Sequence, residues 1–156
     1  MKYNINKFLL QTILLVFLVQ ISSCTVGSCF DETESRVKAT FYSMETGKPI
    51  APDSVTLFGF NMDTLEIYDK TSNLKSAEFP LDAEEQDCKF VIRINGITDT
   101  MEFIYSSYPH LLSKECGYTF FYTLDTDTHT TNAIDSISII KNTITTFNEE
   151  NIRIFY

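Results

Sequence analysis

From Ser35 onward, apolar and polar residues alternate with a period of two, the spacing of a half-buried β-strand. Ser35–Tyr42 sets Val37, Ala39 and Phe41 against Arg36, Lys38 and Thr40. Val55–Phe60 and Thr64–Tyr68 are short β-rich runs around a polar Asn61-Met62-Asp63 turn, and Ser76–Leu81 is a weaker run closed by Pro80. The sharpest local signal is Asn95-Gly96, which separates Cys88–Ile94 from Ile97–Tyr105. Asn-Gly accommodates the two positive φ angles of a type I′ turn and so predicts a tight hairpin. Phe90, Ile92 and Ile94 fall on one face of its first strand, and Met101, Phe103 and Tyr105 form the matching set on the second. Strands are expected again over Tyr118–Asp127, Ser136–Lys141 and Ile152–Tyr156, while only Pro109–Glu115 and Thr145–Asn151 have room for a helical turn. Many short alternating strands separated by turn signals predict an all-β fold. The expected form is an antiparallel β-sandwich, immunoglobulin- or transthyretin-like, with about 7–9 strands.

The first residues obey a different pattern. Met1–Lys7 carries Lys2 and Lys7 and no acid, and Phe8–Ile21 is almost wholly apolar. This is the layout of an export signal. A stretch of about 14 residues, with Gln11 and Gln20 in it, falls short of the roughly 20 apolar residues of a membrane span. Ile21-Ser22-Ser23-Cys24 then reads as a bacterial lipobox, in which the Cys24 thiol receives a diacylglycerol and becomes the new N-terminus. The alternatives are an ordinary secretory signal followed by a coincidental Cys, or a signal anchor. The chain accordingly divides into three parts. Residues 1–23 are a cleaved lipoprotein signal peptide, residues 24–34 the acylated Cys and a short tether, and residues 35–156 a single β-sandwich domain.

Charge changes the picture once the leader is removed. The whole chain carries 12 Lys+Arg against 21 Asp+Glu, a net charge of −9; without Met1–Ser23 it has 133 residues and a net charge of −11. Such acidity argues against nucleic acid as a partner and against basic adhesion to anionic lipid. Membrane attachment would fall to Cys24, whose acyl chains contribute about 0.8 kcal/mol per buried CH₂. The aromatic close, Asn151–Tyr156, is also compatible with the last strand of an outer-membrane barrel. Most runs are shorter than the about 9–11 residues such strands need, and a lipobox would be redundant there.

Export places the cysteines in an oxidising compartment. With Cys24 acylated, Cys29, Cys88 and Cys116 remain, and one bridge leaves one thiol over. Cys29 precedes the first strand and Cys116 precedes Tyr118–Asp127, so both sit where loops meet strands. Cys88 is in phase with Phe90 and Ile92, as a buried free thiol would be. The expected bridge is Cys29–Cys116, with Cys88 reduced; the anchor at Cys24 would then be held close to the domain.

Candidate chemistry is sparse. Asp125-Thr-Asp127-Thr-His129 resembles the start of a calcium loop, but an EF-hand would want Gly at Thr130 and a bidentate Glu at Ser136. His110 lies near Cys116, yet a Cys–His nucleophile needs a reduced thiol. Glu84-Glu85 and Asp87 read as a solubilising loop rather than acid–base machinery. No metal, cofactor or catalytic motif is expected.

The residues also carry a resemblance. Cys24, Cys29, Arg36-Val-Lys-Ala-Thr-Phe-Tyr42, Glu115-Cys-Gly-Tyr118 with Phe121 and Leu124, and Asn151-Ile-Arg-Ile-Phe155 are similar to a family of small uncharacterised lipoproteins of Bacteroidetes, a domain of unknown function. The resemblance implies a lipid-anchored, β-rich envelope protein with Cys29 paired to Cys116, and an accessory role beside an outer-membrane β-barrel protein. Asp followed by Ser or Thr and an apolar residue recurs at Asp53-Ser54-Val55, Asp63-Thr64-Leu65, Asp99-Thr100-Met101 and Asp135-Ser136-Ile137. These triplets look like the O-glycosylation acceptor motif of Bacteroides-type bacteria, marking Ser54, Thr64, Thr100 and Ser136, although the same triplets also begin strands. Thr25-Val-Gly-Ser28 lacks the acids that direct surface display in these bacteria, so the expected place is the periplasmic side of the outer membrane. Two functions follow as expectations: a non-catalytic binding or accessory module for an envelope protein, or a small-ligand or glycan binder using Tyr105, Tyr108, Tyr118 and Tyr122 for stacking.

Overall fold

The computed structural model describes residues 27–60 and 66–156. Cys24, the Asn61-Met62-Asp63 turn and Thr64 lie outside the described residues. Among those described there are ten strands and no helix. In chain order they are β1 Arg36–Tyr42, β2 Val55–Gly59, β3 Glu66–Thr71, β4 Ser76–Pro80, β5 Asp87–Ile94, β6 Ile97–Ser113, β7 Gly117–His129, β8 Ser136–Ile139, β9 Thr143–Ile144 and β10 Ile152–Phe155.

They form two packed sheets, one of four strands in the order β4-β1-β10-β8 and one of six in the order β3-β2-β5-β6-β7-β9. The fold is an all-β sandwich. It departs from a purely antiparallel arrangement at one place, because β1 and β10 run parallel, with Ala39 opposite Ile152 and Phe41 opposite Ile154. Ten strands rather than 7–9 arise partly from β9, two residues too short to leave a periodic signature.

Alternation puts the expected residues inside. Val37, Ala39 and Phe41 of β1, Ala77 and Phe79 of β4 and Ile152 and Ile154 of β10 meet Val55, Leu57, Phe90, Ile92, Ile94, Met101 and Phe103 of the facing sheet. Phe79 clasps the two layers, its ring edge-on to Phe90 at 5.2 Å and to Phe103 at 5.3 Å. Fully burying such side chains stabilises by about 1.5–3 kcal/mol each.

Asn95-Gly96 turns between β5 and β6 with φ of 50° and 87°, as a type I′ hairpin requires. Asn95 adds a second function, since its Oδ1 accepts from Ser54 N at 3.1 Å and its N–H donates to Ser54 O at 2.9 Å, tying the turn to the start of β2. Asn151 in the same way stitches the start of β10 to β1 and to the segment that leads into β9 of the larger sheet. Its N–H donates to Lys38 O and its Oδ1 accepts from Lys38 N, both at 2.9 Å, while its Nδ2 reaches Lys141 O and Thr143 O at 3.3 Å.

Both candidate helical turns are corrected. Pro109–Glu115 continues β6 as far as Ser113 and then turns at Lys114–Cys116. Pro109 is tolerated because, among the described residues, β6 has no second neighbouring strand beyond Ile104, so no ladder bond to a further strand is forfeited. Thr145–Asn151 is an irregular loop between β9 and β10.

Candidate functional site

The longest strands build the most distinctive feature. β5 accompanies β6 only to Ile104, and β9 touches β7 only at Tyr122 and Thr123. From Ser106 to Ser113 and from Gly117 to Phe121 the two strands pair, among the described residues, only with each other, forming an overhanging arm. Opposed residues share a face, so the pairs can be followed outward. Tyr105 opposite Leu124 is buried in the core; Pro109 opposite Phe120 and Leu111 opposite Tyr118 continue the same face into the open. Tyr118 is 74% exposed. On the other face His110 stacks on Phe121 with ring centroids 4.1 Å apart, and Tyr108 packs edge-on to the same ring.

The tip of this arm is not free. Cys29 and Cys116 form a disulfide across 87 residues of sequence, and Cys88 stays a free thiol. A Cβ placed on Gly27 would lie 2.6 Å from Glu115 Cγ, so the tether is pressed onto the turn as well as bonded to it. Farther along, Thr119 Oγ1 donates to Thr33 O at 2.5 Å. Between tether and arm lies a shallow groove bordered by Ser35, Leu81, Phe120 and Tyr122. Ser35 Oγ is buried there without a hydrogen-bond partner among the described residues.

Tyr105 and Tyr122 do not serve as stacking platforms, because both rings are in the core and pack edge-on at 5.5 Å. Their hydroxyls are struts for the loop Leu81–Ala83. Tyr105 OH donates to Asp82 O at 2.9 Å and accepts from Asp82 N at 3.1 Å; Tyr122 OH donates to Leu81 O at 3.3 Å. Cys88 Sγ lies 3.0 Å from Tyr105 OH. Burial first, then the Cys88 thiol, hold the Tyr105 phenol far above the ordinary tyrosine range. Tyr108 and Tyr118 are exposed on opposite faces of the arm.

The acidic run does not assemble a metal centre: among the described residues no three His, Cys, Asp or Glu side chains converge. Asp127 instead contacts His129, Oδ2 to Nδ1 at 3.3 Å, while Asp125 points to solvent. Burial raises the Asp127 carboxyl above the usual carboxylate range, outweighing the pull of His129.

Three of the four Asp-Ser/Thr triplets lie among the described residues. Ser54 immediately precedes β2, its N–H donating to Asn95 Oδ1, and Ser136 is the first residue of β8, paired with Phe155. Thr100 lies within β6, beside an Asp99 that is only 1% exposed. The Asp99 carboxylate accepts from Thr130 Oγ1 at 2.5 Å and from the N–H groups of Asn132, Ala133 and Ile134 at 2.9, 2.7 and 2.9 Å. Burial alone would raise its pKa, but these four donors lower it below the ordinary aspartate value. Sequence reading missed this role. Thr130-Thr131-Asn132, the polar run that supplies two of the four donors, was its only trace.

A second concavity, of about 550 Å³, lies on the outer face of the smaller sheet. Arg36 and Lys38 of β1, Glu78 of β4, Glu34 and the loop residue Phe147 line it, and Phe147 is 72% exposed. It combines charged groups with one aromatic face.

Fold and bridge together define a disulfide-pinned β-sandwich with an overhanging, tethered hairpin. The sequence profile of a family of unknown function, DUF6452, matches residues 54–156, well over half of the chain, and the protein belongs to that family. The match begins after β1, although β1 lies between β4 and β10 in the smaller sheet. No curated protein and no solved structure matches the chain.

Proposed function

We propose that this is a lipid-anchored, non-catalytic protein of a bacterial outer membrane, of the Bacteroidetes lipoprotein type, that serves an envelope protein as an accessory or binding module. The observation that carries the reading is the Cys29–Cys116 bridge, five residues beyond the lipobox Cys24. A disulfide suits an oxidising compartment, and its position ties the anchor segment directly to the folded domain. β8 favours a docking role. Among the described residues it is an edge strand, bonded on one side to β10, and Ile139 and the following Ile140 are exposed along its other side. Such an edge can receive a strand from a partner.

Replacing Cys24 by Ala should remove the acyl mass from the mature protein and release it from the membrane fraction. An unchanged mass would overturn the anchoring. Protease added to intact cells should spare the domain if it faces the periplasm. Purification in mild detergent should bring down an outer-membrane β-barrel in fixed stoichiometry; a bare monomer would overturn the accessory role. A second reading, a small-ligand or glycan binder, is favoured by the groove at Phe147, Arg36, Lys38 and Glu78. Phe147→Ala would then abolish binding of the sugar while leaving the fold intact.

A further inference from the structure

We propose that the end of the β6–β7 arm, together with Phe30, rests in the interfacial layer of the lipid surface to which Cys24 is attached. The inference builds on the anchoring reading and adds an orientation to it.

Reach is the first argument. Gly27 sits against Glu115 at the turn of the arm, and Cys24 stands three residues before it. Three residues span at most about 11 Å. Acyl chains that begin on Cys24 therefore enter the bilayer within roughly one headgroup layer of the turn. The bridge from Cys29 to Cys116 keeps it so, because the tether cannot peel away from the arm.

Composition is the second argument. Phe30 is 92% exposed beside the bridge, and Leu111, Tyr118 and Phe120 are exposed on one face of the arm. This face is the core face of the larger sheet carried past the sandwich, since Tyr105, Tyr122 and Leu124 of the same face are buried farther in. Phenylalanine and leucine prefer the acyl boundary, while a tyrosine ring settles at headgroup depth with its hydroxyl in water.

Charge sets the kind of surface. Asp31, whose carboxylate lies 3.7 Å from Cys116 Sγ, and Glu115, against Gly27, flank the arm's end, with Lys114 as the one cation of its turn. An excess of carboxylates disfavours anionic headgroups and allows zwitterionic ones. The occupant that fits is a zwitterionic lipid surface, entered shallowly. Lipid contact here leaves the β8 edge free for a protein partner.

The absence of Trp from the chain makes the test direct. Tyr118→Trp places one indole on the arm, and Ile97→Trp places one at the other end of β6, roughly 50 Å away at strand rise. Each acylated full-length variant is reconstituted into phosphatidylethanolamine–phosphatidylcholine vesicles, with and without brominated acyl chains. The indole at position 118 should shift to the blue and lose emission to the bromines, and the indole at position 97 should do neither. Adding phosphatidylglycerol should weaken the quenching. Vesicle-bound, acylated protein with no quenching at position 118 overturns the inference and leaves the anchor standing. No acyl mass on Cys24 overturns both. A blue shift without quenching, accompanied by a doubled mass in detergent, assigns the face to a second copy and also overturns the inference.

Discussion

Asp99 shows how one side chain can organise a segment far from it in sequence. Its four accepted bonds hold Thr130–Ile134 in place, and the loop in turn delivers Ile134 to the core, where it is fully buried. Asp99→Asn turns one acceptor oxygen into a donor that faces backbone N–H groups. The expected cost at pH 7 is about 2–4 kcal/mol. Because the folded carboxyl titrates below its ordinary value, its stabilisation is complete above the unfolded pKa, about 3.9. It then fades as pH falls toward the folded value. Urea midpoints of the protein and the variant should therefore differ most at neutral pH and converge below about pH 4.

At the scale of elements, the β5–β6 turn offers the cleanest perturbation. Gly96 has φ of 87° and open space around its missing Cβ, so substitution is opposed by backbone conformation and not by crowding. Gly96→Val should cost about 1–2 kcal/mol, read as a lowered thermal midpoint with unchanged far-ultraviolet dichroism. This turn was legible in the sequence because Asn-Gly is a local signal, and so was the alternation that placed Val37, Phe41, Phe90 and Met101 inside. The end of β6 was not legible. Ser106-Ser107 followed by Pro109 looks like a strand stop, and only the withdrawal of β5 at Ile104 makes a proline harmless there. Tyr105 and Tyr122 misled for a related reason: a tyrosine reads the same whether its hydroxyl meets water or holds a loop, as these hold Leu81–Ala83. Asp99-Thr100 reads as one of four Asp-Ser/Thr triplets, and nothing local reveals that three N–H groups some thirty residues later enclose the carboxylate.

For the whole molecule the bridge is the main constraint outside the core. A loop of 87 residues would give about 4–5 kcal/mol by chain entropy alone. On reduction the tether regains freedom in the folded state, so the measured loss should be nearer 2–4 kcal/mol. Cys29→Ser should lower the urea midpoint accordingly, leave the sandwich folded, and make the tether sensitive to protease.

The parallel pair at the centre of the smaller sheet has a consequence for how the chain is made. β1 emerges first from the ribosome, and the neighbour it needs, β10, is the last strand to appear. Until Ile152–Phe155 is available, β1 can pair only with β4, Asn151 cannot bind Lys38, and β8 has no strand to lie against. Contacts of such long sequence separation slow folding. A chain with β10 deleted should therefore stay protease-sensitive, which limited proteolysis would show. If the chain is exported as proposed, this delay is useful: a polypeptide that cannot complete its smaller sheet until β10 appears should stay unfolded for longer, as threading through a secretion channel requires.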